Sequence, residues 1–113
     1  MSYWLAEPCK IFPPLTGDLH VEALVVGGGI AGVTAAYLLK KAGARVALLE
    51  KGQIGSAESG HTTAHITYPT DIRLTKLVEQ VGENHAEAAW DAQAAAAAQI
   101  AALVQCEGLD CNY

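Results

Sequence analysis

The sequence predicts an α/β fold built on a parallel βαβ unit, and three observations carry that prediction. Two short apolar runs, Ala23–Val26 and Val46–Leu49, are too brief for helices and end against glycine or charge. Between them, Gly27, Gly29 and Gly32 fall in G-x-G-x-x-G spacing and open a segment of helical pattern. A lone acid, Glu50, closes the second run. Strand, glycine turn, helix, strand and acid, in that order, are the plan of a dinucleotide-binding unit of Rossmann-like type.

Residues 1–20 read as an extended arm. Pro8, Pro13 and Pro14 oppose a regular helix, and Thr16-Gly17-Asp18 reads as a turn before the first strand. Trp4 in this arm reads as part of a surface strap. Ala23–Val26 then has the continuous apolar character of a strand covered on both faces, as parallel strands are.

Each glycine of the turn has its own task. Gly27 permits the sharp exit from the strand. Gly29 lacks the Cβ that would keep a pyrophosphate from the backbone, and Gly32 lets the helix lie close to the strands. The N–H groups at the start of that helix, on Ile30, Ala31 and Gly32, point toward the phosphates, where the positive dipole end favours an anion. The helix runs to about Ala42, with Ile30, Val33, Ala36 and Tyr37 on one side, Lys40 and Lys41 in the last turn, and Gly43 as the stop. Glu50 stands eighteen residues beyond Gly32. A carboxylate there accepts hydrogen bonds from the ribose hydroxyls of an adenosine and repels a 2′-phosphate, an exclusion that Lys51 slightly weakens.

Beyond Glu50 the chain turns glycine- and serine-rich, and the loop ends in Ser59-Gly60-His61-Thr62-Thr63-Ala64-His65. Small residues and hydroxyls suit close approach to a phosphate-bearing ligand, although an ordinary polar connection has the same composition. A helix opening at Pro69 or Thr70 follows, with Leu74, Leu77, Val78 and Val81 as its apolar stripe and Gly82 as its stop. Asn84 is placed to cap the next helix, with Glu87 in capping-box spacing. That helix carries the stripe Trp90, Ala94, Ala97, Ala101 and Val104, reads as scaffold, and ends at Gly108. Leu109–Tyr113 reads as the approach to a further strand.

The glycine turn, the acid and the later loop resemble the FAD-dependent oxidoreductases of the D-amino-acid oxidase and glycine oxidase type, over nearly the whole chain. Ser2-Tyr3-Trp4-Leu5, Pro13-Pro14-Leu15-Thr16-Gly17-Asp18-Leu19 and Ser59-Gly60-His61-Thr62-Thr63-Ala64 are similar to one subgroup, many of whose members carry a Rieske iron–sulfur domain at the far end. The resemblance implies FAD held by the glycine turn and Glu50. It also implies that Ser59, Gly60, Thr62, Thr63, Ala64 and His65 return over the pyrophosphate toward the flavin. The implied reaction is hydride transfer to flavin from an amine or amino-acid-like small molecule.

A doubly wound domain needs more chain than 113 residues, so the sequence reads as an arm (1–20) and the N-terminal part of an FAD-binding domain (21–113), an incomplete domain with no catalytic side chain of its own to name. These residues by themselves are expected to be inactive. The net charge of −5 and the absence of a basic patch argue against a nucleic-acid partner. Cys9, Cys106 and Cys111 form no C-x-x-C pair and read as reduced thiols of a cytoplasmic protein. His61 and His65 lack a third ligand at a convincing spacing, so no metal site is expected. No segment reads as a leader or a membrane span.

Two other readings share the glycine turn and the acid. One is the NAD-binding domain of a dehydrogenase, which would more often continue as strand–helix–strand with short connections. The other is a truncated nucleotide-binding module without activity of its own.

Overall fold

A computed structural model describes residues 2–6, 9–67, 71–111 and 113, so Pro8, Pro69 and Thr70 lie outside the described residues. The chain forms two compact units, residues 1–63 and 64–113.

The first unit holds the βαβ plan. Strand β1 (Ala23–Val26), helix α1 (Ile30–Lys41) and strand β2 (Val46–Leu49) follow in order. The strands pair in parallel with Ala23 opposite Val46 and Val26 opposite Leu49. The ladder continues past β1, where the Gly27 N–H donates to the Leu49 carbonyl at 2.8 Å. Its other end is tied by Glu22, whose carboxylate accepts from the Arg45 N–H at 2.8 Å and lies 3.5 Å from the Arg45 guanidinium.

Helix α1 stops as its composition requires. Gly43 takes φ +92°, a left-handed conformation that L side chains rarely adopt. Its N–H donates to the Lys40 carbonyl at 3.0 Å, and the Ala44 N–H to the Leu39 carbonyl at 3.1 Å. This pair of bonds is the Schellman arrangement. Lys41 reaches back one turn to the Tyr37 hydroxyl at 2.8 Å.

The helix lies against one face of β1 only. Val25 faces it, whereas Leu24 and Val26 on the alternate face are 56% and 79% exposed. The expectation that β1 is covered on both faces therefore does not hold within these residues. Side chains alternate along a strand, so one helix covers every second residue, and no other described helix or strand of the unit covers the rest. Ile30 and Val33, from the expected inner stripe of α1, are also exposed.

The arm before β1 contains an unexpected 3-10 turn, Tyr3–Leu5. A second 3-10 turn, Glu58–His61, lies in the loop after β2.

The second unit is a pair of packed helices, α2 (Leu74–Val81) and α3 (Glu83–Glu107). Helix α2 begins later than its composition implied, with Arg73 in extended conformation at its N-cap. Gly82 both stops α2 and caps α3. At φ +83°, its N–H donates to the Val78 carbonyl at 2.8 Å and its own carbonyl accepts from the Ala86 N–H at 3.0 Å. Helix α3 therefore begins at Glu83, and Asn84 lies inside its first turn rather than capping it. One left-handed glycine reverses the chain faster than the two-residue connection the capping-box spacing required.

The α3 stripe is as expected: Trp90, Ala94, Ala97, Ala101 and Val104 are half-buried, and Ala86 on the same face is fully buried. Gly108, at φ +60°, ends the helix, and the Leu109 N–H donates to the Val104 carbonyl at 3.0 Å. Described residues 109–111 and 113 form no strand.

The tightest packing in the βαβ unit is at Gly32. A Cβ there would stand 2.0 Å from the Gly27 carbonyl oxygen. Gly32→Ala in the full-length protein should force α1 off the strand and destabilise it by about 1–3 kcal/mol, as overpacking does. A thermal midpoint equal to that of the parent would show that α1 shifts without cost.

Candidate functional site

The site is built where β1 hands over to α1. Gly27 has φ +105°, which takes the chain out of the strand and brings Gly28 to Glu50, just past the second strand's end. Gly28 is buried there. A Cβ on it would stand 3.1 Å from Glu50 and from Ile54 Cγ1. Gly29 is extended and forms the N-cap of α1 without a side-chain hydrogen bond of its own.

Two side chains from beyond β2 close onto this turn. Glu50 Oε2 accepts from the Gly28 N–H at 2.6 Å, and Oε1 accepts from the Gly52 N–H at 2.8 Å. The carboxyl is held below the usual glutamate range. The Gly28 N–H is the main cause, with the Gly52 N–H next; desolvation opposes them, and the charge and N–H of Lys51 add smaller lowering effects. Ser59 is the second contact. Its Oγ accepts from the Ile30 N–H at 2.9 Å, so it occupies one of the donors that a helix start leaves open.

Other open donors remain. The N–H groups of Ala31 and Gly32 find no acceptor among the described residues. The Ser59 hydroxyl retains its own proton. A carboxylate offers about four lone-pair sites, so Glu50 keeps acceptor capacity beyond its two backbone contacts. The arrangement combines a helix N-terminus with amide donors, a hydroxyl donor and an ionised acceptor. That set of groups suits a phosphate beside a hydroxyl-bearing sugar.

The structure thus brings together Gly27, Gly29, Ile30, Ala31, Gly32, Glu50, Lys51, Ser59 and Gly60 in one unit. Thr62 and Thr63 lie in the same unit, exposed, at the end of the second 3-10 turn. Ala64 and His65 fall in the second unit, and Ala64 takes φ +54°, uncommon for a residue with a side chain. His61 directs Nδ1 at the Ala57 carbonyl, 2.9 Å away.

Sequence reasoning missed Gly28, Ile54 and Gly55. Gly28 is a variable position of the glycine pattern, yet its N–H and lack of Cβ are both used. Gly55, at φ +76°, donates its N–H to the Gly28 carbonyl at 2.9 Å. The density of glycines after Glu50 was the available signal, and it read only as loop.

A family model described as FAD dependent oxidoreductase matches residues 22–113. This chain belongs to that family. The match begins at the residue before β1 and runs to residue 113. Among similar proteins is Bacillus subtilis (strain 168) YhfW, named as a Rieske 2Fe-2S iron-sulfur protein, at 34% identity over 99% of this chain and 22% of YhfW. Human mitochondrial dimethylglycine dehydrogenase is 38% identical over 58% of this chain and 8% of its own length. Glycine oxidase of Bacillus licheniformis is 44% identical over 39% of this chain and 13% of its own length. The chain therefore spans less than a quarter of the length of these curated relatives. No solved structure matches it. Among the described residues, no helix is long and apolar enough to cross a membrane, and no group of His, Cys, Asp and Glu is placed to hold a metal ion.

The lowered Glu50 pKa has a defined sign. The two N–H contacts support the loop at pH above the unfolded-state pKa and are lost as pH falls through the lower folded-state value. On acidification the amide resonances of Gly28 and Gly52 should therefore titrate together, with a midpoint below the ordinary glutamate range, and Glu50→Gln should abolish that titration. A midpoint at or above the ordinary range would show that the carboxylate is not held by these amides.

Proposed function

We propose that this chain is the N-terminal FAD-binding part of a flavin-dependent oxidoreductase that oxidises an amine or amino-acid-like substrate by hydride transfer. The observation that carries the reading is the convergence of Glu50 and Ser59 on the glycine turn at the start of α1, in a chain of the FAD-dependent oxidoreductase family. Relatives named dimethylglycine dehydrogenase and glycine oxidase support the amine class of substrate.

The residues fit the group. At Gly29 the nearest obstacle to a Cβ is the Ser59 hydroxyl at 3.4 Å, so the bare backbone faces the phosphate side of the site. Gly27, Gly29 and Gly32 shape the turn, and the amides of Ile30, Ala31 and Gly32 line the anion site. Glu50 accepts from the adenosine ribose, with Lys51 beside it. Ser59, Gly60, Thr62, Thr63, Ala64 and His65 form the loop that returns over the pyrophosphate. When bound, FAD supplies the two-electron acceptor for hydride, while the protein supplies position and electrostatics.

A Rieske iron–sulfur domain in the full-length chain belongs to the same proposal, supported by the match to YhfW along nearly all of these residues. The free, exposed thiols Cys9, Cys106 and Cys111 suit the reducing cytoplasm.

The full-length protein should purify yellow and release FAD, not NAD, on denaturation. Glu50→Arg should weaken FAD binding by roughly ten- to a hundredfold, the effect of one lost charge-assisted hydrogen bond. A colourless protein that binds NAD and ignores FAD would overturn the reading. Unchanged affinity in the variant would remove Glu50 from the ribose site.

A further inference from the structure

We propose that the N-terminal segment Ser2–Leu5 is a positioning element for the cofactor site, with Trp4 and Leu5 acting through Ser59. The inference rests on the FAD reading above but concerns residues that neither the glycine turn nor the family match (22–113) includes.

This short segment meets a single turn far along the chain in three ways. The Trp4 indole N–H donates to the Thr62 carbonyl at 2.9 Å. The Ser2 hydroxyl donates to the Gly60 carbonyl. The Leu5 side chain lies over Gly60 so closely that a Cβ on Gly60 would stand 2.8 Å from Leu5 Cδ2, and it would also stand 2.3 Å from the Gly55 carbonyl oxygen. Gly60 is accordingly buried, clamped between the arm and the loop that leaves Glu50.

Ser59 is the residue next to that clamp. Its hydroxyl meets the Ile30 N–H and faces Gly29, so the place of the arm on Gly60 and Thr62 sets the place of Ser59 on the helix start. Trp4 is 46% exposed, so its ring is only partly covered. The oriented group is the indole N–H, a donor with no acceptor function, aimed at a backbone carbonyl. A loop held only by its own backbone would open locally at little cost, and tying down the residues that directly follow Ser59 raises that cost.

The test uses the full-length protein and Trp4→Phe, which keeps a ring and deletes only the donor. FAD affinity should fall roughly two- to tenfold, the effect of one neutral hydrogen bond. In a Ser59→Ala background, the same Trp4→Phe change should leave FAD affinity unmoved, because the strap acts through that hydroxyl. Leu5→Ala should behave likewise. In the apoprotein, amide exchange at Ile30 and across Glu58–Thr62 should quicken in Trp4→Phe. Equal affinity losses in both backgrounds would assign Trp4 a merely structural role and overturn the proposal, as would unchanged exchange at Ile30. A parent protein that binds no FAD would fail the flavin reading alone, and the exchange measurement would still decide whether the arm positions Ser59.

Discussion

The near-contact between α1 and the end of β1 is the constraint on which the first unit depends. Only a residue without a Cβ can stand at Gly32, where the helix passes the Gly27 carbonyl. That closeness sets the direction of α1 and brings its first amides to the mouth of the strand pair. It also requires Gly27 to leave β1 in a conformation that residues with side chains rarely adopt. The open amides at the start of α1 and the packing of the βαβ unit are thus the same feature seen from two sides. A larger residue at either glycine would disturb both.

Glu50 supplies the second tie. It follows β2 directly, so the parallel register that sets Leu49 opposite Val26 also delivers its carboxylate to the Gly28 amide. The backbone donors that hold the carboxylate also keep it ionised, the state in which it accepts hydrogen bonds from a sugar. Ser59 adds a contact to the helix start, and the arm meets the residues that follow it. Three segments distant in sequence, residues 2–5, 27–32 and 50–62, meet through backbone amides and carbonyls more than through apolar side chains. Such a site needs little core, and this suits a unit whose sheet leaves Leu24 and Val26 uncovered.

Helices α2 and α3 follow a different logic. Their pairing depends on a narrow apolar stripe, alanine at three of its five α3 positions, and on Gly82, whose positive φ lets one residue end the first helix and begin the second. Alanine at 94, 97 and 101 permits close approach and contributes little burial per residue. The pair owes its form to helix propensity and capping as much as to a hydrophobic interior.

Local rules were enough for the elements and much of the turn. Short apolar runs, glycine spacing, terminal glycines and an acid at a strand end determined β1, α1, β2, the stops at Gly43, Gly82 and Gly108, and the family resemblance. Each depends on residues within a few positions of one another. Tertiary structure decided what depends on encounters between distant segments. The burial of Gly28, the bond from Ser59 to the Ile30 amide, the clamp of Leu5 on Gly60 and the Trp4 contact have no periodicity and no local signature. The start of α3 at Glu83 rather than after Asn84, and the bare face of β1, were likewise beyond local pattern. A capping preference is weak beside a left-handed glycine already in place, and a strand's composition does not reveal which of its two faces a partner covers.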